Sequence, residues 1–335
     1  MKKYWIYKPG FDLAFIISPP FLVLDFIFLF QEKIKYWQEN YSFLTWLLLI
    51  VCIDVAHVYA TLYKTYFSRK GRAAFEKELL YVPLVCFGIG LLLYSLGYQI
   101  FWSVLAYMAV FHFIRQQYGF MRLYGKKELN AKKWLDTLSV YNATVFPMLF
   151  WFFSPKRNFN WFVENEFLGF PNHDIIYVLT FFYVGIIIAY VSHILYRLLK
   201  YKEYNLPKYL LILGTYLSWY FGIVYFDNDL IFTLLNVISH GVPYMALVYI
   251  NQKEEEHLNV LPKLSTIKGL IVFVVIFLLL AITEEFLWEI LVWNENVAVF
   301  ESLSSLENWH ILIVPFLMVP QFTHYVLDGI IWKKK

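Results

Sequence analysis

Long apolar blocks separated by short polar segments run through the whole chain. A helix needs about 20 mostly apolar residues to cross the hydrocarbon core of a bilayer. By that rule the pattern predicts an all-α, polytopic transmembrane helix bundle of about ten spans, which forms a single domain over residues 1–335. The predicted spans are approximately Phe11–Phe30, Phe43–Phe67, Glu78–Leu96, Gln99–Tyr124, Lys133–Ser154, Asp174–Leu199, Leu206–Phe226, Leu230–Ile250, Lys268–Trp293 and His310–Trp332.

The basic residues support this count. Lys and Arg concentrate near residues 2–8, 69–77, 122–133, 197–208, 253–268 and 333–335, and with ten spans all of these segments fall on one side of the membrane. Cytoplasmic connections carry the excess of Lys and Arg. We therefore expect both termini in the cytoplasm and a multi-pass protein of the plasma (inner) membrane. Lys156 and Arg157 are the main exception.

Composition excludes several classes of protein. The chain is 60% hydrophobic and 16% charged, whereas soluble domains have roughly 45–50% apolar and 25% charged residues. The net charge of +3 is modest and no basic patch resembles a nucleic-acid interface, so no nucleic-acid partner is expected. Cys52 and Cys86 form no CxxC pair, which disfavours thiolate metal sites and redox dithiols.

Four histidines fall inside apolar blocks, where polar side chains are costly and usually functional. His57, His112, His240 and His324 lie in the second, fourth, eighth and tenth predicted spans, which all run from outside to inside. Each lies between 9 and 12 residues before the polar residue that ends its span. A rise of 1.5 Å per residue then places every imidazole roughly 14–18 Å from the cytoplasmic end of its helix. The spacing predicts a layer of histidines near mid-membrane.

Two carboxylates accompany this layer. Asp54 lies three residues before His57, and Asp328 lies four residues after His324, so each acid shares a helix face with its histidine. Carboxylate and histidine pairs at such spacings supply ligands in two-metal helix bundles. The predicted metal ligands are Asp54, His57, His112, His240, His324 and Asp328.

Three further polar residues lie close to these histidines in the sequence. Gln116 lies four residues after His112, and Asn236 lies four residues before His240. Either amide could ligate weakly or orient an imidazole, so Asn236 is a candidate cofactor-binding residue. Arg115, three residues after His112, could pair with an acid or bind an anionic substrate group. Arg115 and Gln116 are the candidate catalytic residues.

Imidazole and carboxylate ligands without thiolates favour iron, with zinc or manganese as alternatives. Six ligands are more than one tetrahedral zinc site with an open position can use. The set therefore predicts two ions, with a non-haem di-iron centre as the first choice. Inside apolar walls, such a centre predicts dioxygen-dependent hydroxylation, desaturation or oxidative cleavage. The expected partners are a membrane lipid, hydrocarbon or isoprenoid substrate and a redox donor.

The four histidine spans resemble, at the level of a broad class, the integral-membrane histidine-motif oxygenases. This class includes lipid desaturases and hydroxylases and the bacterial membrane carotene dioxygenases. The resemblance implies a helical membrane protein with a non-haem metal that acts oxidatively on an apolar substrate. The HxxxH and HxxHH boxes of the desaturases do not occur in this sequence.

A proton- or ion-coupled transporter is the alternative function, with the His and Asp residues acting as a relay. Pro19-Pro20 and Pro243 would then mark broken helices. The sequence shows no internal repeat, which favours the enzyme. Whether His193, Glu284 and Glu285 take part is left open.

Overall fold

The computed structural model describes residues 4–40, 42–128, 132–255, 261–293 and 304–333. All regular elements among these residues are helices, and no strand occurs among them. In the described ranges, a π-helix continues an α-helix at four places: Leu13–Ile17, Leu47–Val55, Tyr220–Tyr225 and Glu289–Trp293. A 3₁₀ turn covers Ser304–Trp309. The α-helices are α1 (Pro9–Asp12), α2 (Pro19–Leu29), α3 (Gln31–Glu39), α4 (Phe43–Trp46), α5 (Ala56–Lys64), α6 (Arg69–Ala74), α7 (Glu76–Leu96), α8 (Tyr98–Gly125), α9 (Lys133–Phe153), α10 (His173–Tyr201), α11 (Leu206–Trp219), α12 (Asp229–Gln252), α13 (Ile267–Trp288), α14 (His310–Leu317) and α15 (Val319–Ile331).

Helices lie at all ten predicted spans, and in the described part of the chain six helices are long and apolar enough to cross a membrane. These six are Phe43–Lys64, Glu76–Leu96, His173–Tyr201, Asp229–Gln252, Ile267–Trp293 and Leu306–Ile331. The all-helical class and the membrane character are therefore confirmed. The count of ten spans and the orientation of the termini stay predictions.

The first predicted span is broken, as its prolines predict. Pro9–Ile17 and Pro19–Leu29 meet at an angle of 54°, and they count as a seventh span if the bent pair crosses the membrane as one. Proline lacks a backbone N–H and its ring collides with the preceding turn, so Pro19 and Pro20 stop the first segment.

The chain divides into two compact units. Unit 1 comprises Met1–Asn40 and Val110–Pro243, and unit 2 comprises Tyr41–Ala109 and Tyr244–Lys335. In unit 1, α9 packs against α10 and α11, and α11 packs against α2. In unit 2, α7 packs against α14 and α15, and α5 packs against α13 and α15. A single domain over residues 1–335 stays a prediction.

Unit 1 contains a buried ion network that the sequence pattern did not predict. Lys208 Nζ lies 2.7 Å from Glu128 and 2.8 Å from Asp136, and Arg197 lies 3.2 Å from Glu128 and 2.9 Å from Glu203. Removing one partner from such a group leaves a buried charge uncompensated, which costs about 3–5 kcal/mol. The network therefore holds α9, α10 and α11 in register beside the end of α8.

Unit 2 has two unusual local features, a close helix contact at Gly90 and a long π-helix before α5. A β-carbon added at Gly90 of α7 would lie 3.2 Å from Pro315 of α14, so the small residue permits a close helix contact. The π-helix Leu47–Val55 leads directly into α5 and carries Asp54. π-helical turns are rare and often occur at functional sites.

Candidate metal centre

His57 and His324 form a pair inside unit 2. His57 lies in the first turn of α5 and His324 in the middle of α15, two helices that pack together. Both side chains are buried. Their ring centroids are 5.0 Å apart at an interplanar angle of 79°.

Hydroxyl groups surround this pair. The Thr61 hydroxyl lies 2.8 Å from Nδ1 of His324 and 2.8 Å from the Tyr244 hydroxyl. The Tyr244 ring meets the His324 ring edge-on at 5.0 Å. Nδ1 of His324 therefore has a hydrogen-bond partner in the Thr61 hydroxyl.

The two carboxylates predicted as ligands lie next to this pair. Asp54 Oδ1 is 3.9 Å from Nδ1 of His57, which is too far for a hydrogen bond. Asp328 accepts a hydrogen bond from the Trp332 indole at 2.6 Å. Both carboxylates are half-buried.

His112 and His240 form the corresponding pair inside unit 1. Their ring centroids are 5.0 Å apart at 77°, and both side chains are buried. The Phe113 ring stacks on His240 at 3.6 Å and 6°, so aromatic packing contributes to the orientation of His240.

Gln116 lies one turn after His112 on α8, and Asn236 lies one turn before His240 on α12; their roles at the site stay predictions. Gln116 Nε2 donates to the backbone carbonyl of His240 at 2.9 Å, and Asn236 Nδ2 donates to the carbonyl of Phe232 at 2.9 Å. Gln116 Oε1 and Asn236 Oδ1 are buried and accept no hydrogen bond from the described residues. Buried polar atoms are normally satisfied, so two unused acceptors fit a site that holds a further group.

The four histidines lie together. One nitrogen from each of His57, His112, His240 and His324 lies within 4.8 Å of the other three, and all four residues are buried. The predicted clustering of the histidines is thereby confirmed, and the group can hold a metal ion. Neither Asp54 nor Asp328 belongs to the group, so their role as ligands stays a prediction.

The remaining candidates lie outside the group. Arg115 is exposed; its guanidinium donates to the Tyr141 hydroxyl at 3.1 Å and lies over the Tyr118 ring, so its catalytic role stays a prediction. His193 is half-buried on α10. Glu284 is buried on α13 and accepts hydrogen bonds from Tyr59 at 2.5 Å and from Trp288 at 3.4 Å.

Sequence reasoning missed Thr61 and Tyr244. A signal for both was present, because Thr61 lies four residues after His57 and Tyr244 lies four residues after His240. This spacing places two side chains on one helix face. Among 27 tyrosines in the chain, however, the spacing of one carries little information.

A cleft of about 220 Å³ reaches His324 within unit 2. Side chains from α5, α7 and α15 form its walls, which are mostly apolar. Tyr66, Pro83 and Val319 in these walls are half-buried, so the cleft extends from the surface of the unit to the histidine.

Comparison of the chain with protein-family models, with curated proteins and with solved structures finds no match.

Proposed function

We propose that the protein is a membrane metalloenzyme whose four clustered histidines bind a transition metal. The observation that carries the proposal is the approach of four buried imidazole nitrogens to within 4.8 Å of one another. Burying four imidazoles at one point is costly unless they are hydrogen-bonded or bound to an ion. Imidazole is a good ligand for iron, zinc, copper and nickel, and iron remains the first choice, with zinc or manganese as alternatives.

The spacing of the nitrogens favours one ion. With metal–nitrogen bonds of about 2.0–2.1 Å, neighbouring nitrogens around a tetrahedral ion lie about 3.4 Å apart. Small side-chain movements would bring four nitrogens that now lie within 4.8 Å onto such an ion. A centre with two ions about 3.5–4 Å apart would give each ion two of these histidines and would need Asp54 and Asp328 as further ligands. This two-ion centre is the one that the sequence predicts, and it is the alternative to a single ion.

The surroundings of the cluster support an apolar substrate. The cleft beside His324 has mostly apolar walls and extends to the surface of its unit. A bound iron ion would supply the activation of dioxygen for hydroxylation, desaturation or oxidative cleavage. The chain itself would hold the ion with His57, His112, His240 and His324, and the cleft walls would bind a lipid, hydrocarbon or isoprenoid and exclude water. The electrons would come from a separate redox donor.

The proposed location is the plasma (inner) membrane, with ten spans and both termini in the cytoplasm. The one-sided distribution of Lys and Arg supports this topology. Helices at all ten predicted spans are consistent with it.

One observation favours the alternative of a proton- or ion-coupled transporter. Glu284 is buried on α13 and hydrogen-bonded to Tyr59. Buried acids within membrane spans often belong to proton or ion pathways. A transporter would carry its substrate without a bound transition metal.

Elemental analysis of the purified, folded protein in detergent tests the proposal. We expect about one transition-metal ion per chain, and we expect His112→Ala and His240→Ala to lose most of it. His193→Ala is the matched control and should retain the metal, because His193 lies outside the group. Two ions per chain would support the two-metal centre. Absence of metal from clean, folded protein would rule out the enzyme and leave the transporter.

A further inference from the structure

An apolar groove of about 440 Å³ lies between α10 and α11 in unit 1. Both helices pack against α9, and residues 183–194 and 209–220 supply the side chains that line the groove. The lining includes the buried Tyr190 and Tyr209 as well as the exposed Val191 and Leu213. The groove therefore opens at the surface of the unit.

Two tyrosines of the groove use their hydroxyl groups on internal partners. Tyr190 Oη donates to Asp136 at 3.0 Å, and Arg197 donates to Tyr209 Oη at 3.2 Å. Asp136 and Arg197 both belong to the buried ion network of unit 1. These hydrogen bonds hold the two rings in place, so the groove is preformed and its surface consists almost entirely of carbon atoms. A preformed site binds its ligand with little ordering cost.

The groove lies on a helix that is long and apolar enough to cross a membrane, α10. The apolar side chains of Phe181, Ile188 and Leu195 on this helix are exposed. Water is absent from the hydrocarbon core of a bilayer. The molecules that reach an outward-facing apolar groove at this depth are therefore lipid chains.

The dimensions of the groove match one acyl chain. Tyr183 and Ile194 are eleven residues apart, which corresponds to about 16 Å along α10. One leaflet contributes about 15 Å to the hydrocarbon core. The volume is about three times that of a protein cavity of roughly 150 Å³ that binds benzene, which gives room for roughly 18 carbon atoms. A partner helix, about 10–12 Å in diameter, does not fit into such a volume.

A lysine and a tyrosine lie beyond one end of the groove. Tyr201 follows Ile194 by seven residues, or two turns, and so continues the same face of α10. Lys200 Nζ lies 5.4 Å from the centroid of the Tyr201 ring, and both residues are exposed. Tyrosine at the end of a span lies at the level of the lipid headgroups, and lysine binds phosphate as a point charge. This end of the groove therefore favours a phospholipid over a free hydrocarbon.

We propose that the groove is a binding site for one phospholipid, with an acyl chain between α10 and α11 and the phosphate beside Lys200. Unit 1 alone supplies the site, and lipid binding there does not require the metal centre. Because the walls are preformed, this lipid stays bound through purification, whereas lipids on the rest of α10 exchange with detergent.

Lipid analysis of the purified protein tests the proposal. After extensive washing in detergent, extraction and mass spectrometry should find about one phospholipid per chain. Val191→Trp and Leu213→Trp place a large ring at the mouth of the groove and should lose most of this lipid. Ile188→Trp, at an exposed position of α10 outside the groove, is the matched control and should retain it. Wild-type protein without phospholipid, or equal retention in all three folded variants, would overturn the site.

Photo-crosslinking locates the lipid on the wild-type chain. The probe is a phospholipid with a diazirine in its acyl chain, added to vesicles that contain the protein. We expect labelling of residues 183–194 and 209–220 that excess unlabelled phospholipid abolishes, and about fivefold weaker binding in Lys200→Gln but not in the exposed control Lys35→Gln. Even, unsaturable labelling along α10 would refute the site. Stronger competition by a free fatty acid than by phospholipid would refute the role of the phosphate.

Discussion

The two histidine pairs have nearly the same ring geometry and very different surroundings. The ring centroids are 5.0 Å apart in both, and the interplanar angles are 77° for His112–His240 and 79° for His57–His324. In unit 1, the Phe113 ring stacks on His240, and the Gln116 amide bonds to the His240 backbone. Hydroxyl and carboxyl groups surround the pair in unit 2.

The difference shows that one ligand geometry can be held by two kinds of interaction. In unit 1, an apolar ring, that of Phe113, orients His240 by stacking. A hydrogen bond between Nδ1 and the Thr61 hydroxyl orients His324. We therefore expect the first pair to be sensitive to changes of side-chain volume, and the second to changes of single polar atoms.

The largest expected effect is on the free energy of unfolding, at the His112–His240 pair of unit 1. Phe113→Ala removes the ring that stacks on His240, and truncation of a buried Phe typically lowers the free energy of unfolding by about 3–5 kcal/mol. Denaturant unfolding in detergent measures the change. Phe111→Ala, on the same helix but 63% exposed, is the matched control and should change stability far less. Equal losses in the two variants would show that stacking does not hold His240.

The carboxylates of unit 2 provide the next test. Asp54→Asn and Asp328→Asn remove charge with little change of shape, and we expect each to weaken metal binding about tenfold, or about 1.4 kcal/mol. The loss should be smaller than that of a histidine variant because neither acid belongs to the histidine group. Chelator competition measures the affinity, with the exposed Asp25→Asn as control. A loss as complete as that of the histidine variants would identify the acids as ligands and support the two-ion centre.

The smallest effect is expected at the amide of unit 1. Gln116→Leu removes one hydrogen bond to the His240 backbone, so we expect a loss of about 1 kcal/mol in the free energy of unfolding. Gln31→Leu, at an exposed position of α3, should leave stability almost unchanged. If Gln116→Leu instead abolishes metal binding while the protein stays folded, Gln116 contacts the ion or the substrate.

Much of the site was predictable because the position of a residue along a helix is a local property. Counting residues from the ends of four apolar blocks predicted that His57, His112, His240 and His324 lie together, and they do. Helices at the ten predicted spans follow from the same apolar pattern. The break at Pro19 follows from the chemistry of one residue type.

Contacts between distant segments were not predictable in this way. Thr61 and Tyr244 are separated by 183 residues, and Tyr59 and Glu284 by 225 residues. The buried pairing of Lys208 with Glu128 and Asp136 likewise joins separate helices. Which face of a helix meets which neighbour depends on the packing of complete side-chain surfaces, and no short pattern encodes it.

The sequence alone therefore determined that the chain forms apolar helices and that four of them carry a histidine at a similar height, because helical rise and bilayer thickness convert residue number into depth. Only the tertiary structure decided which atoms surround each imidazole. That choice depends on the rotation and lateral packing of the helices, and it left Asp54 and Asp328 outside the histidine group while bringing Thr61 onto Nδ1 of His324.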